Sequence, residues 1–298
     1  MKRLSAVIIL SIFLFVLASP AGSTEKACFK SIGEDDLVCR PEFCPGIFPL
    51  GNGLNLQLNP GTSPRKLMGP PVTWMNITVL DGNNPVHHLP DSFYLGYGYL
   101  QQGDFEYIMI GEYTGGMHCC SRYHFYVRSA SGGRLRYLGK TAETAEGLDE
   151  DPFSCQNDQL YLEDWDARFL YFHTPYAKSL LLFPTHYKIT PSLLAIDNIP
   201  FREKYLSLID EIDADIQDAA AKRERPAASL LLEKDGSDFF SDEIGQLIIK
   251  RTILYIYARE ERQAWESLER DLKKYYQNDS DMHRIRNEIK ALLAEGPY

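Results

Sequence analysis

Met117, His118, Cys119 and Cys120 stand side by side, and His124 follows four residues later. No other stretch of the chain gathers so many reactive side chains. Three chemistries fit these residue types. The cysteines can form structural disulfides. A thiolate with two imidazoles suits a soft metal such as zinc or copper(I). Adjacent cysteines can also act as a redox pair, because their Cα atoms sit about 3.8 Å apart, below the ~4.4–6.8 Å of an unstrained bridge, so a bond between them is readily reduced. Successive strand residues point to opposite faces. His118, Cys120 and His124 therefore share one face as the candidate metal ligands, and Met117 and Cys119 share the other. The Cys-x-x-Cys spacing of thioredoxin-like enzymes is absent.

Compartment favours the disulfide reading. Lys2 and Arg3 precede an apolar run from Leu4 to Leu17, and small residues follow at Ala18, Ser19, Ala21, Gly22 and Ser23. Residues 1–23 thus read as a signal peptide, too short in its apolar core to span a bilayer. The expected location is periplasmic or extracellular. All six cysteines (Cys28, Cys39, Cys44, Cys119, Cys120 and Cys155) lie beyond that segment, as a disulfide framework requires. Three precede residue 45 and three follow residue 118, so complete pairing needs at least one bridge between the groups. Cys155 is the expected local partner of Cys119 or Cys120.

The net charge is −10. Residues 1–23 carry two basic and no acidic residues, so 29 basic residues face 41 acidic ones in the rest of the chain. Such a surface repels nucleic acid. No later stretch is apolar enough for a transmembrane segment.

The elements that must position the cluster are strands. Residues 24–71 are broken by Pro41, Pro45, Pro49, Pro60, Pro64, Pro70 and Pro71 and read as a loop-rich segment tethered by disulfides, with one short strand at Leu54, Leu56 and Leu58. Residues 72–200 read as an antiparallel β domain. Period-two patterning predicts strands near 72–80, 92–100, 105–113, 121–128, 134–138, 158–163, 167–173 and 179–183. Residues 201–298 read as a helical region. Helices are expected over 202–223, from Pro226 to Leu232, from an N-cap at Ser241 to about Ala258, and over 260–276 and 280–294. The fold class is α+β: a mainly antiparallel β domain followed by a C-terminal α-helical region.

Three local resemblances appear. The Gly-Gly-x-His-Cys-Cys run within residues 103–128 is similar to a hairpin of uncharacterised secreted bacterial proteins, a resemblance that implies no activity. Tyr99–Asp104 and Tyr161–Asp166 share Tyr, Leu and Asp in one register, which resembles the strand–acidic turn–strand unit of FG-GAP propeller blades, although the β region is too short for a full propeller. Tyr255, Ala264 and Leu268 resemble the spacing within one tetratricopeptide helix pair, and a plain helical hairpin fits them as well.

Other residues offer weaker chemistry. Phe93, Tyr94, Tyr97 and Tyr99 form a candidate binding surface for sugar or peptide, or else fill the sheet core. His87-His88 reads as an exposed loop pair or as metal ligands. Asp149, Glu150, Asp151 and Asp158 read as an acidic turn or a calcium site. Asp210, Glu211, Asp213 and Asp215 read as the wet face of a helix. The Gly-x-Ser-x-Gly elbow, His-Glu-x-x-His helix, Walker loop and Rossmann glycines are all absent. The leading expectation is therefore a non-enzymatic, disulfide-stabilised binding protein whose partner is an envelope protein, peptide or glycan, with no cofactor. The alternatives are a metal-handling or redox protein built on His118, Cys119, Cys120 and His124, and a hydrolase with dispersed catalytic residues.

Overall fold

The structure, a computed structural model, describes residues 30–35, 46–51, 53–61, 75–113, 121–144, 152–170, 172–173, 179–223, 239–240, 242–276 and 282–294, with backbone alone at 30–35, 51, 93–95 and 113. Eight strands come first: β1 (Lys30–Asp35), β2 (Gly46–Gly51), β3 (Leu54–Pro60), β4 (Met75–Asp81), β5 (Asn84–Gln102), β6 (Phe105–Tyr113), β7 (Ser121–Ser129) and β8 (Arg136–Lys140). They form one antiparallel sheet in the order β2-β3-β4-β5-β6-β7-β8, and β1 also pairs with β5. A second antiparallel sheet holds β9 (Phe153–Gln156), β10 (Gln159–Asp166), β11 (Phe183–Thr190) and β12 (Leu193–Ile196) in the order β12-β11-β10-β9. Among the described residues four α-helices follow: α1 (Arg202–Lys222), α2 (Glu243–Tyr257), α3 (Glu261–Tyr276) and α4 (Met282–Ala294). The class is α+β with a β region followed by helices, as the patterning predicts.

Strand β5 shapes the first sheet. Its first half pairs with β4 and its second half with β6. Between them lie Pro90, which cannot donate to a ladder, and Asp91, whose backbone turns to a φ of 44°. The strand bends there, and the sheet folds over on itself. Leu54, Leu56 and Leu58 of β3 and Met75, Ile77 and Val79 of β4 pack against Tyr99, Ile108, Ile110 and Tyr126. Alternation then builds the next layer. Tyr107, Met109, Tyr123, Phe125 and Val127 point the other way, onto Leu160, Leu162, Tyr187 and Ile189 of the second sheet. The far face of that sheet, through Tyr161 and Phe183, packs on the helices. Each element buries one apolar stripe, as layered domains require. Among the described residues, no helix is long and apolar enough to cross a membrane.

Several expectations need correction. The segment read as loop-rich supplies three strands of the main sheet; of its prolines that are described, Pro49 lies in the edge strand β2 and Pro60 is the last residue of β3, where a missing N–H is tolerated. In place of the strand expected over 167–173, residues 168–170 form a turn and 172–173 a bend. Asp166 captures it by accepting bonds from the backbone N–H (3.0 Å) and Nε (2.9 Å) of Arg168, whose guanidinium also reaches the Leu292 and Leu293 carbonyls. The cap of α2 is Asp242, whose carboxylate accepts from the Gly245 N–H at 3.3 Å; Ser241 and the helix expected at Pro226–Leu232 lie outside the described residues. The two echoing stretches also differ in structure. Tyr99–Gln102 ends β5 before a turn at Gly103-Asp104, whereas Tyr161–Asp166 is unbroken strand. Tyr255, Ala264 and Leu268 sit in the α2–α3 pair, with the latter two buried.

Candidate functional site

The apolar interior of the folded sheet ends in a polar patch. On β6 the inward positions read Ile108, Ile110 and then Glu112. Ile110 pairs with His124 and Glu112 with Arg122 on β7. Beside them, His124 pairs with Lys140 on β8. Across the fold, β5 brings His87 in from the side and Ser92 from just beyond the bend. A cavity of about 330 Å³ opens here, lined by His87, Ser92, Glu112, Arg122, His124, Tyr137 and Lys140 among others.

Its polar walls are bonded to one another. Ser92 Oγ donates to Glu112 Oε1 at 2.7 Å, and Glu112 Oε2 lies 2.5 Å from His124 Nε2. The other imidazole nitrogen of His124 is 3.1 Å from the Tyr137 hydroxyl. His87 Nδ1 is 2.8 Å from the Tyr126 hydroxyl, and its ring stacks on Tyr137 at 4.0 Å. Arg122 pairs with Glu143 at 2.5 Å. Lys140 is exposed and has no ion pair among the described residues.

Protonation follows from these contacts. Burial pushes the Glu112 carboxyl up, but the hydrogen bonds from His124 and Ser92, with the charge of Arg122 nearby, outweigh it and hold the group below its ordinary value. Glu112 is thus an ionised acceptor, and His124 Nε2 must be the donor to it. Burial, with His124 close by, lowers His87 to about 4, so this imidazole is neutral at pH 7. Tyr137 is pushed up to about 12 by burial and by Glu112, and Tyr126 is raised well above its usual range. Both phenols stay protonated.

Ser92 is not paired with an imidazole base. Nucleophilic catalysis needs a base on the hydroxyl and an orienting group behind that base. Here the carboxylate sits between Ser92 and His124, so the imidazole never reaches the hydroxyl. The groups left open to a ligand are the His87 imidazole, whose Nε2 makes no hydrogen bond among the described residues, and the Lys140 ammonium.

Of the residues singled out in the sequence, His124 is buried in this network. To bind a metal it would have to release Glu112 or Tyr137, since both ring nitrogens are engaged. His118, Cys119 and Cys120 lie outside the described residues, as do Cys28, Cys39 and Cys44. Cys155, on β9, is disulfide-bonded. Among the described residues no three His, Cys, Asp or Glu side chains are placed to hold a metal ion.

Two readings are corrected. Tyr99 is not a binding surface. It is 5% exposed, packs in the first core, and its hydroxyl engages Glu106 and Arg128. Tyr97 is half-buried against the same cluster; the side chains of Phe93 and Tyr94 lie outside the description. His87 and His88 are not a loop pair but strand residues, and His88 meets Thr78 Oγ1 at 3.1 Å. Asp149, Glu150 and Asp151 lie outside the described residues, while Asp158 sits in the β9–β10 turn with a φ of 61°. In the acidic stretch of α1, Asp213 reaches across to Arg251.

Sequence reasoning missed Ser92, Glu112, Arg122, Tyr137 and Lys140. One signal was present: Glu112 occupies an inward position of an otherwise apolar alternation, and a carboxylate there demands partners. Comparison of the chain with protein-family models, with curated proteins and with solved structures gives no match.

Proposed function

We propose that this is an exported, disulfide-stabilised binding protein that holds a small anionic ligand in the cavity beside His87 and Lys140. The observation that carries this reading is the state of the cavity walls. Glu112, His124, Ser92 and Tyr137 are bonded into one lining, while a neutral imidazole and an ammonium with no ion pair among the described residues remain for the ligand. Fixed walls reduce the ordering cost of binding. A lysine offers a point charge to carboxylate or phosphate. The disulfide at Cys155 supports the export reading, because such bonds persist in oxidising compartments.

The test is calorimetric titration with acetate, inorganic phosphate and glucose as probes. At least one anion should bind and glucose should not. Lys140→Ala should weaken the anion by roughly tenfold, as expected for loss of one charge-assisted contact. Because Lys140 is exposed, the melting temperature should hardly move. Equal binding of the anion by the variant would refute the assignment.

A second reading rests on the Glu112–His124 pair, an oriented imidazole of the kind used in general base catalysis. It requires turnover of an activated ester that His124→Asn abolishes. Hydrolysis by the native protein at the rate of buffer alone leaves the binding reading in place.

A further inference from the structure

A second cavity, far from the first in the chain, lies where the second sheet meets the helices. It measures about 250 Å³, just below the roughly 300–1,000 Å³ of most small-molecule sites, and is bounded by β12, the α2–α3 connection and α4. Its walls are largely apolar: Ile196, Ile256, Leu293 and the ring of Trp265. Three charged side chains line it as well, namely Arg259, Lys290 and Glu261. None of the three has an ion-pair partner among the described residues. All three are exposed, so a molecule seated in the hollow meets an apolar wall with two cations and one carboxylate at its rim, a lining suited to an anion with an apolar body.

Arg259 gives a second, independent argument. It follows α2 in the position where a helix ends by turning left-handed. The Glu260 N–H bonds to the Tyr255 carbonyl at 2.8 Å and the Arg259 N–H to the Ile256 carbonyl at 3.0 Å, the paired closure of a Schellman turn. That turn gives Arg259 a φ of 63°, a conformation that glycine adopts freely and arginine only at a cost. The chain therefore places a guanidinium at the cavity where glycine would make the turn more easily. Lys290 reaches the same place from α4, with its ammonium 5.6 Å from the centre of the Trp265 ring. The indole ring of Trp265 lines the cavity, while its Nε1 is buried and makes no hydrogen bond among the described residues.

We infer that this cavity binds a small carboxylate with an apolar, ring-sized body: the carboxylate lies toward Arg259 and Lys290, and the body packs against Ile196, Ile256, Leu293 and Trp265. Glu261 opposes the anion and sets the sign of one test. The cavity is distinct from the one beside His87, so the two assignments stand or fall separately.

Titration of the full chain by calorimetry, with tryptophan fluorescence as a parallel readout, uses three probes of one size: 3-phenylpropionate, phenethyl alcohol and phenethylamine. The carboxylate should bind roughly tenfold more tightly than the alcohol, and the amine more weakly than either. Arg259→Gly removes the cation while easing the turn, and Lys290→Met keeps the apolar stem. Each should weaken 3-phenylpropionate by roughly fivefold or more without lowering the melting temperature. Glu261→Gln should tighten it. Lys140→Ala should leave it unchanged. Preference for the amine, indifference to all three substitutions, or no binding of any probe at millimolar concentration overturns the inference.

Discussion

Asp164→Asn should make the protein more stable at pH 8 and leave it almost unchanged at pH 4. Asp164 lies on β10 opposite Thr185 and is 2% exposed. Its Oδ1 accepts the Trp165 N–H at 2.8 Å. Burial raises its pKa to about 7, more than the bonds from Trp165, Thr144 and Thr141 can offset. The sign follows from proton linkage. Between its ordinary value near 3.8 and about 7, the folded chain holds this proton and the unfolded chain releases it. The stabilisation is complete below that window and is lost as pH rises through it. Asparagine copies the protonated carboxyl in shape and keeps the Oδ1 acceptor. Relative to the native chain at pH 8, the variant should therefore gain on the order of 3–4 kcal/mol. Urea unfolding of both proteins at the two pH values measures this. An equal difference at pH 4 and pH 8 would show that the carboxyl is ionised in the fold.

Other groups of the native chain pull in the opposite direction, which is why the comparison must be between variant and native protein. Glu163, next along β10, is held down to about 2 by the His186 imidazole and the Lys204 ammonium despite partial burial. Its contribution is present above its ordinary value and lost as pH falls toward 2. His87, lowered to about 4, disfavours the fold as it is asked to protonate, so its effect also grows as pH falls.

Why some of this could be read from the chain and some could not has a physical basis. Period-two runs such as Tyr107-Ile108-Met109-Ile110 bury both faces, one in each core, so their residue types announce a central strand. The face of α1 marked by Tyr205, Ile209, Ile212 and Ile216 is buried as its spacing requires. β5 was legible only in part, because Pro90 reads as a stop. The strand passes it by bending at Asp91, a solution imposed by the pairing of both halves with different neighbours. The turn after Asp166 was misread because part of its cause is tertiary: Arg168, two residues on, and Tyr257, from α2, together hold that carboxylate. The site was least legible. Whether His124 faces Glu112 depends on register between β6 and β7, and a slip of one residue would turn every side chain over. His87 enters only because the bend folds its half of β5 across the sheet. Nothing in the spacing of His87, Glu112, His124 and Tyr137 encodes that approach.

The largest effect at the first cavity should come from removing Glu112, and the choice of replacement decides how large. Glu112 is 9% exposed and accepts from both Ser92 and His124. Alanine leaves the hydroxyl and the imidazole N–H facing each other across a hole. Losing an ionised acceptor with two buried donors costs on the order of 3–5 kcal/mol. Glutamine has the same shape but one oxygen and one NH₂. Its oxygen can keep the Ser92 bond. Its NH₂ then meets His124 Nε2, which can accept only if the ring proton moves to Nδ1. That shift is available because a hydroxyl gives or takes a hydrogen bond: Tyr137 donates to His124 in the native chain and accepts from it in the variant. Glu112→Gln should therefore lose only about 1 kcal/mol. Nitrogen NMR of the His124 ring should show the proton on Nε2 in the native protein and on Nδ1 in the variant. Chemical unfolding gives the two stability losses. If alanine and glutamine cost the same, then the cavity lining is not organised by this carboxylate; a His124 ring proton that stays on Nε2 in the glutamine variant means that the amide oxygen faces His124 and its NH₂ faces Ser92, whose hydroxyl then donates to the Pro90 carbonyl.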